Sequence, residues 1–194
     1  MEREQRRKDV PSLQTELFVE RRNEVSKLLQ SGFAGAPWFE EIDDVEALAR
    51  VESHAMKPGF EAILLSEDDT IVAGLWYDTP SLSDLRNERG ASVADFAQTH
   101  NEERGIHKIV WEREVVVDPQ HQGRGLATRL RRAFLDHLAA DESPVLLLTR
   151  MRDDNAAVIA VAQKFGYTRT GIRMPSSQNP EVSHEYWYVV IGDE

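Results

Sequence analysis

The chain has 194 residues, 41% of them hydrophobic and 29% charged, with 23 Lys plus Arg against 34 Asp plus Glu and a formal net charge of −11. That length suits one domain with a sizeable core, and the composition is globular rather than disordered or fibrous. The acidic balance argues against a nucleic-acid binder, and the absence of cysteine excludes disulfides, thiolate metal sites and a cysteine nucleophile.

Residues 1–10 read as a charged tail outside the fold, and residues 11–194 as a single domain. Residues 13–19 suggest a first strand. Residues 23–30 suggest a helix with Val25, Leu28 and Leu29 on one face, followed by a loop over 31–38. Asp43 or Asp44 can cap a second helix carrying Val45, Leu48, Ala49 and Val51. The apolar runs 60–65 and 70–76, with Ser-Glu-Asp-Asp between them, have a hairpin signature with a loop of four to five residues. The polar stretch that follows is long enough to be an insertion or lid at about 78–107, with a weak helix over 91–98. No run of about 18 apolar residues occurs, and no apolar segment follows the charged N-terminus. A cytoplasmic protein without membrane association is therefore expected.

From Lys108 the pattern sharpens. Residues 108–117 form a strand candidate, and 118–125 a loop with two glycines. Over 126–138, Leu126, Leu130, Phe134 and Leu138 recur every four residues as an amphipathic helix. Residues 145–149 are a short apolar strand. Residues 155–165 are a helix with Ala157, Val158, Val161 and Ala162 inward, ended by Gly166. Strands over 168–174 and 184–191 close the chain. This order predicts an α/β protein with a mixed sheet.

The loop at 118–125 joins a strand to a helix N-terminus, where backbone N–H groups lack partners and the helix dipole is positive. Gly123 and Gly125 would let a phosphate approach the backbone. Arg124, Arg129, Arg131 and Arg132 concentrate positive charge in an acidic chain. Two readings fit: a site for a phosphorylated ligand, or a turn followed by a solvated basic helix face. A P-loop is excluded because no Gly-Lys pair occurs. The dinucleotide fingerprint fails because Thr128 stands at its third position.

Gln120-His121-Gln122-Gly123-Arg124-Gly125 resembles the Q/R-x-x-G-x-G/A signature of the GNAT superfamily of N-acetyltransferases. A second block, from Asn155 through Lys164 and Gly166 to Tyr167, is similar to that family's N-x-x-A-x-x-L-Y-x-K-x-G-F/Y block, in the same register and at the family's separation. The resemblance covers about residues 108–173 and implies a single mixed, mostly antiparallel sheet flanked by helices. It implies acetyl-CoA as acyl donor and no metal. The diphosphate would lie on the N–H groups of Gln122, Gly123, Arg124, Gly125, Leu126, Ala127 and Thr128. Val115 and Val117 would pair with the pantetheine arm through their backbone, and Asn155 would contact the cofactor near that arm. A homodimer is compatible with it.

Amine acetylation needs a neutral amine. An alkyl amine of pKa about 10.4 is mostly charged at neutral pH, and removing its proton costs roughly 4.6 kcal/mol. Glu114 and Glu112, two apart on one strand face, are the candidate bases, with Glu114 nearer the expected acetyl position. The alternative is that both are exposed and paired with Arg113 or Arg150. The family's tyrosine, which protonates the departing thiolate, is replaced by Ala162; Tyr167, Tyr186 and Tyr188 are other hydroxyls. The six histidines form no ligand-spaced set, so no metal is expected. The acceptor would be an amine-bearing small molecule or protein. Phe33, Trp38 and Phe39 would make an apolar wall, and Glu40, Glu41, Asp43 and Asp44 an acidic rim suited to a cationic amine. The loss of the tyrosine keeps open a catalytically silent acyl-CoA-binding regulatory module. An acyltransferase using another acyl group or acceptor is a further alternative.

Overall fold

The computed structural model describes residues 11–141, 143–176 and 181–192; the tail expected at 1–10 lies outside them. Seven α-helices and six strands alternate among the described residues. They are α1 (Thr15–Glu20), α2 (Arg22–Ala34), α3 (Asp44–Ala55), β1 (Glu61–Glu67), β2 (Thr70–Asp78), α4 (Leu82–Arg89) and α5 (Ala91–Arg104). After these come β3 (Lys108–Val117), a 3-10 turn (Pro119–His121), α6 (Leu126–Leu138), β4 (Val145–Arg152), α7 (Ala156–Lys164), β5 (Thr168–Pro175) and β6 (Ser183–Ile191). The strands make one mixed sheet in the order β1-β2-β3-β4-β6-β5. β4 runs parallel to β3 and antiparallel to β6, and β5 is antiparallel to β6. Among the described residues no helix is long and apolar enough to cross a membrane.

The chain divides into two compact units. The first takes in described residues through Met56, Phe60–Trp76 and Glu114–His137. Its core gathers Phe18, Val25, Leu28, Leu29, Phe33, Ala47, Val51, Trp76 and Val116. The second takes in Lys57–Gly59, Tyr77–Arg113 and the described residues from Leu138 onward. Its core gathers Leu85, Val93, Ala94, Ala97, Ile109, Trp111, Leu146, Leu148 and Tyr186.

Several expectations need correction. Residues 13–19 are not a strand. Leu13 makes a single bridge to Ile63, and Gln14 N donates to Ala62 O at 2.7 Å before the chain turns into α1. The apolar positions 13, 17 and 18 fit one helical turn, and Phe18 is driven into the core against Phe60 and Trp76, 4.9 and 5.2 Å away between ring centroids. α2 runs on to Ala34 because Phe33 prolongs its buried stripe. Asp43 caps α3, its carboxylate accepting from Glu46 N at 2.8 Å. The inward residues of α3 are Ala47 and Val51, while Val45 is 77% exposed. The hairpin turn is tighter than expected. Asp68 and Asp69 alone separate the strands, both at positive φ as a type I′ turn requires. In α7, Ala162 is buried but Ala157 is exposed. The stretch at about 78–107 holds two helices, α4 and α5, with inner residues in the second core.

The bounds of β3 and α6 are those the pattern predicts, and the Leu126–Leu130–Phe134–Leu138 stripe is buried. α4 begins with a reciprocal capping box: Ser81 Oγ accepts from Asp84 N, and the Asp84 carboxylate accepts from Ser81 N at 3.0 Å. Ser81→Ala is expected to lower unfolding free energy by about 1 kcal/mol, read as a reduced denaturant midpoint with an unchanged slope.

Candidate functional site

The loop after β3 is built by its own backbone and one aspartate. Asp118 N donates to Val72 O at 2.9 Å, anchoring the strand end. Asp118 Oδ1 accepts from Gln120 N at 2.8 Å and lies 3.0 Å from His121 Nδ1, so the carboxylate holds the 3-10 turn closed. Pro119 supplies a preset φ at the first position of that turn. Gly123 and Gly125 follow at φ +74° and +76°, a region that side-chain-bearing residues rarely occupy, and a Cβ at either would meet no atom within 4 Å. The turn thus leaves open space beside its backbone. Arg129 N donates to Gly125 O at 3.0 Å, opening the hydrogen-bond ladder of α6. Ahead of it, the N–H groups of residues 122–128 make no hydrogen bond within the described residues. Seven consecutive amides, two glycine kinks and a helix N-terminus therefore share one turn.

Arg124, expected to face a phosphate, is ion-paired with Glu67 at 3.0 and 2.7 Å, and His121 Nε2 lies 3.7 Å from the same carboxylate. The bond from Arg124 keeps Glu67 below the usual carboxylate range, though Glu67 is open to solvent. Arg131 is buried rather than displayed on a helix face.

The two candidate carboxylates have different neighbours, and neither is paired with Arg113 or Arg150. Glu112 is 4% exposed, and its Oε2 accepts a hydrogen bond from the Tyr167 hydroxyl at 2.8 Å. Thr149 Oγ1 donates to the Glu112 carbonyl at 3.3 Å. Glu114 Oε1 takes two N–H groups of Arg50, from Nε at 3.1 Å and from Nη2. Arg50 also reaches Glu40 at 3.3 Å and stacks over Phe33. Burial works against the Arg50 charge, but Glu114 and then Glu40 outweigh it, so its pKa is raised. Arg113 instead meets Asp78 at 2.7 Å and Glu88 at 3.2 Å.

Tyr167 is positioned by the end of α7. Gly166 N donates to Gln163 O and Tyr167 N to Ala162 O, a Schellman closure with Gly166 at φ +81°. A hydroxyl five residues beyond Ala162 thus reaches Glu112. No local sequence signal pairs Tyr167 with Glu112, because they lie 55 residues apart. Asn155 is buried and caps α7, its Oδ1 accepting from Val158 N at 3.2 Å.

Of the four carboxylates expected as an acidic rim, Glu41, Asp43 and Asp44 are exposed. Glu40 holds Arg50, Asp43 caps α3, and Asp44 accepts from Gln30 at 3.0 Å. Phe33 is a core residue with Trp38 packed against it, while Phe39 is 70% exposed. No metal-ligand cluster occurs among the described residues.

On β6, His184 is held near pKa 4 by burial first, then by Arg150 and Arg152. An unfolded histidine takes its proton near 6.5, so stability present above that pH is lost as pH falls toward 4. His184→Gln is expected to flatten this part of the stability curve, as seen in melting temperatures measured across the same window.

The model of the acetyltransferase (GNAT) family matches residues 34–167. No curated protein sequence matches the chain. Among solved structures, the ribosomal-protein-alanine N-acetyltransferase of Brucella melitensis superposes with a TM-score of 0.63 at 12% identity, covering 93% of this chain and 99% of that one. The structure of yncA from Salmonella typhimurium with its cofactor acetyl-CoA gives 0.61 at 14% identity and 96% of both chains. An aminoglycoside 6'-N-acetyltransferase complexed with coenzyme A gives 0.57 at 14% identity, over 87% of this chain and 89% of that one. At these identities the likeness is one of fold.

Proposed function

The chain belongs to the acetyltransferase (GNAT) family, and from that premise we propose that it moves an acetyl group from acetyl-CoA to a primary amine by direct transfer in a ternary complex. The observation that carries the reading is the row of seven amides at 122–128 without partners among the described residues. Such a row, at the positive end of α6, suits a diphosphate better than any neutral group. Arg124 would then be shared between Glu67 and the ligand. The backbone of Val115 and Val117, on the strand that delivers the loop, would pair with the pantetheine arm.

In the transfer, the amine nitrogen attacks the thioester carbonyl. The C–N bond forms, the C–S bond breaks, and the ammonium proton goes to a base. Glu114 is the first candidate for that base. Arg50 engages its Oε1 and leaves Oε2 to accept a proton, directly or through water. Glu112 is the second, with Tyr167 as a proton donor on the same carboxylate. A thiol of ordinary pKa about 8.5 is a tolerable leaving group as thiolate, so Ala162 at the family's tyrosine position does not by itself silence the chain. The Val117 N–H is the candidate donor to the developing oxyanion. With no cysteine in the sequence, an acetyl-cysteine intermediate cannot form.

Gly123→Asp would set a carboxylate and a disfavoured φ in the turn. It is expected to abolish acetyl-CoA binding in calorimetry without unfolding the chain, and unaltered affinity overturns the reading. Glu114→Gln is expected to lower kcat by about a hundredfold while sparing acetyl-CoA affinity. A rate equal to wild type in a thiol-release assay removes Glu114 from the chemistry.

A further inference from the structure

On β4, Arg150 and Arg152 continue the row of Leu146 and Leu148, whose side chains enter the second core. In the β4–β6 register Arg150 lies opposite Tyr186, and Arg152 opposite His184. Arg89, the last residue of α4, stacks its guanidinium 4.5 Å above the Trp111 ring. Arg113, two residues beyond Trp111 on β3, points to the same face. Four guanidinium groups and an imidazole thus gather in one unit of an acidic chain. They stand where β3 and β4 cease to pair, just past Trp111↔Leu148.

The local carboxylates do not balance them evenly. Arg113 takes Asp78 and Glu88, and Arg152 takes Asp154 at 2.7 Å. Arg89 has only Glu88 at 3.9 Å, and its buried Nε donates to nothing in the described structure. The exposed Arg150 guanidinium has no partner among the described residues. The electrostatics agree with the geometry. Burial, then Arg150, then Arg113 lower Arg89 to about 10. A buried guanidinium held beside like charges is costly unless an anion completes it. The planar fork of arginine matches carboxylate and phosphate oxygens.

We propose that Arg89 and Arg150 form an anion subsite, so that the preferred acceptor is an amine that also carries a carboxylate or a phosphate. The substrate assignment rests on the acetyl-transfer reading; the anion site itself does not. It adds an anionic group to the amine-bearing acceptor that the sequence leads one to expect. His184 faces the same cations, Arg89, Arg150 and Arg152, with Asp153 opposing them, and so reports the charge of the subsite.

The test has two arms on the full chain. In the first, kcat/KM is compared for amino acids against their methyl esters, and for amino phosphates against the corresponding amino alcohols. An advantage of about tenfold or more for one anionic series is expected. It should collapse in Arg150→Gln through KM, with the KM for acetyl-CoA unchanged. Esters and alcohols that match or exceed the anions overturn the proposal. In the second arm, without acetyl-CoA, the His184 imidazole is titrated by NMR with acetate or inorganic phosphate present. Its midpoint is expected to rise from about 4 with the favoured anion, and this rise should disappear in Arg150→Gln. Arg89→Lys, which keeps the charge but loses the fork, should weaken the response. No movement of His184 with either anion overturns the subsite, even if acetyl-CoA binds. A His184 response in a chain that ignores acetyl-CoA upholds the anion site and overturns the acceptor assignment.

Discussion

A backbone N–H that finds no acceptor in its own chain must meet water or a ligand. Among the described residues seven of them, at 122–128, stand in succession without such an acceptor. Asp118 closes the 3-10 turn and pins its start. Gly123 and Gly125 bend the chain where side chains would be strained. α6 begins its ladder only at the bond from Arg129 to Gly125. The buried Leu126–Leu130–Phe134 stripe anchors the helix and so fixes where its N-terminus stands.

What was legible in the sequence follows the range of the forces involved. β3, the glycine loop and α6 are written in consecutive residues: an apolar run, two glycines at fixed spacing, and a stripe of period near four. Their bounds agree with the structure. Residues 13–19 misled because three apolar positions serve a strand or a helical turn equally well, and the pocket formed by Phe60 and Trp76 decides between them. Val45 and Ala157 misled because apolarity is a weak guide at a helix's first turn, where the chain is still emerging from solvent. The polar stretch after β2 showed only part of α5 and hid α4, because their buried stripes rely on alanine and a few larger residues.

The candidate carboxylates illustrate the harder case. Their type and strand position were readable, but their partners were not, since Arg50 lies 64 residues from Glu114 and Tyr167 lies 55 from Glu112. The acidic segment at 40–44 looked like an electrostatic feature of the surface. In the fold it supplies a helix cap, an arginine ligand and an acceptor for a glutamine. Charge counted along the sequence thus says little about the charge a ligand meets. A chain of net −11 can still hold an arginine-rich patch where its carboxylates are committed elsewhere.

The Glu67 clasp on Arg124 bears on the thermodynamics of cofactor arrival. A guanidinium that already owns an internal counter-ion has few small ions left to shed. A polyanion docking there would exchange one oxyanion for another instead of neutralising a bare cation, and the salt dependence of its affinity would be shallower than a count of arginines near the loop implies.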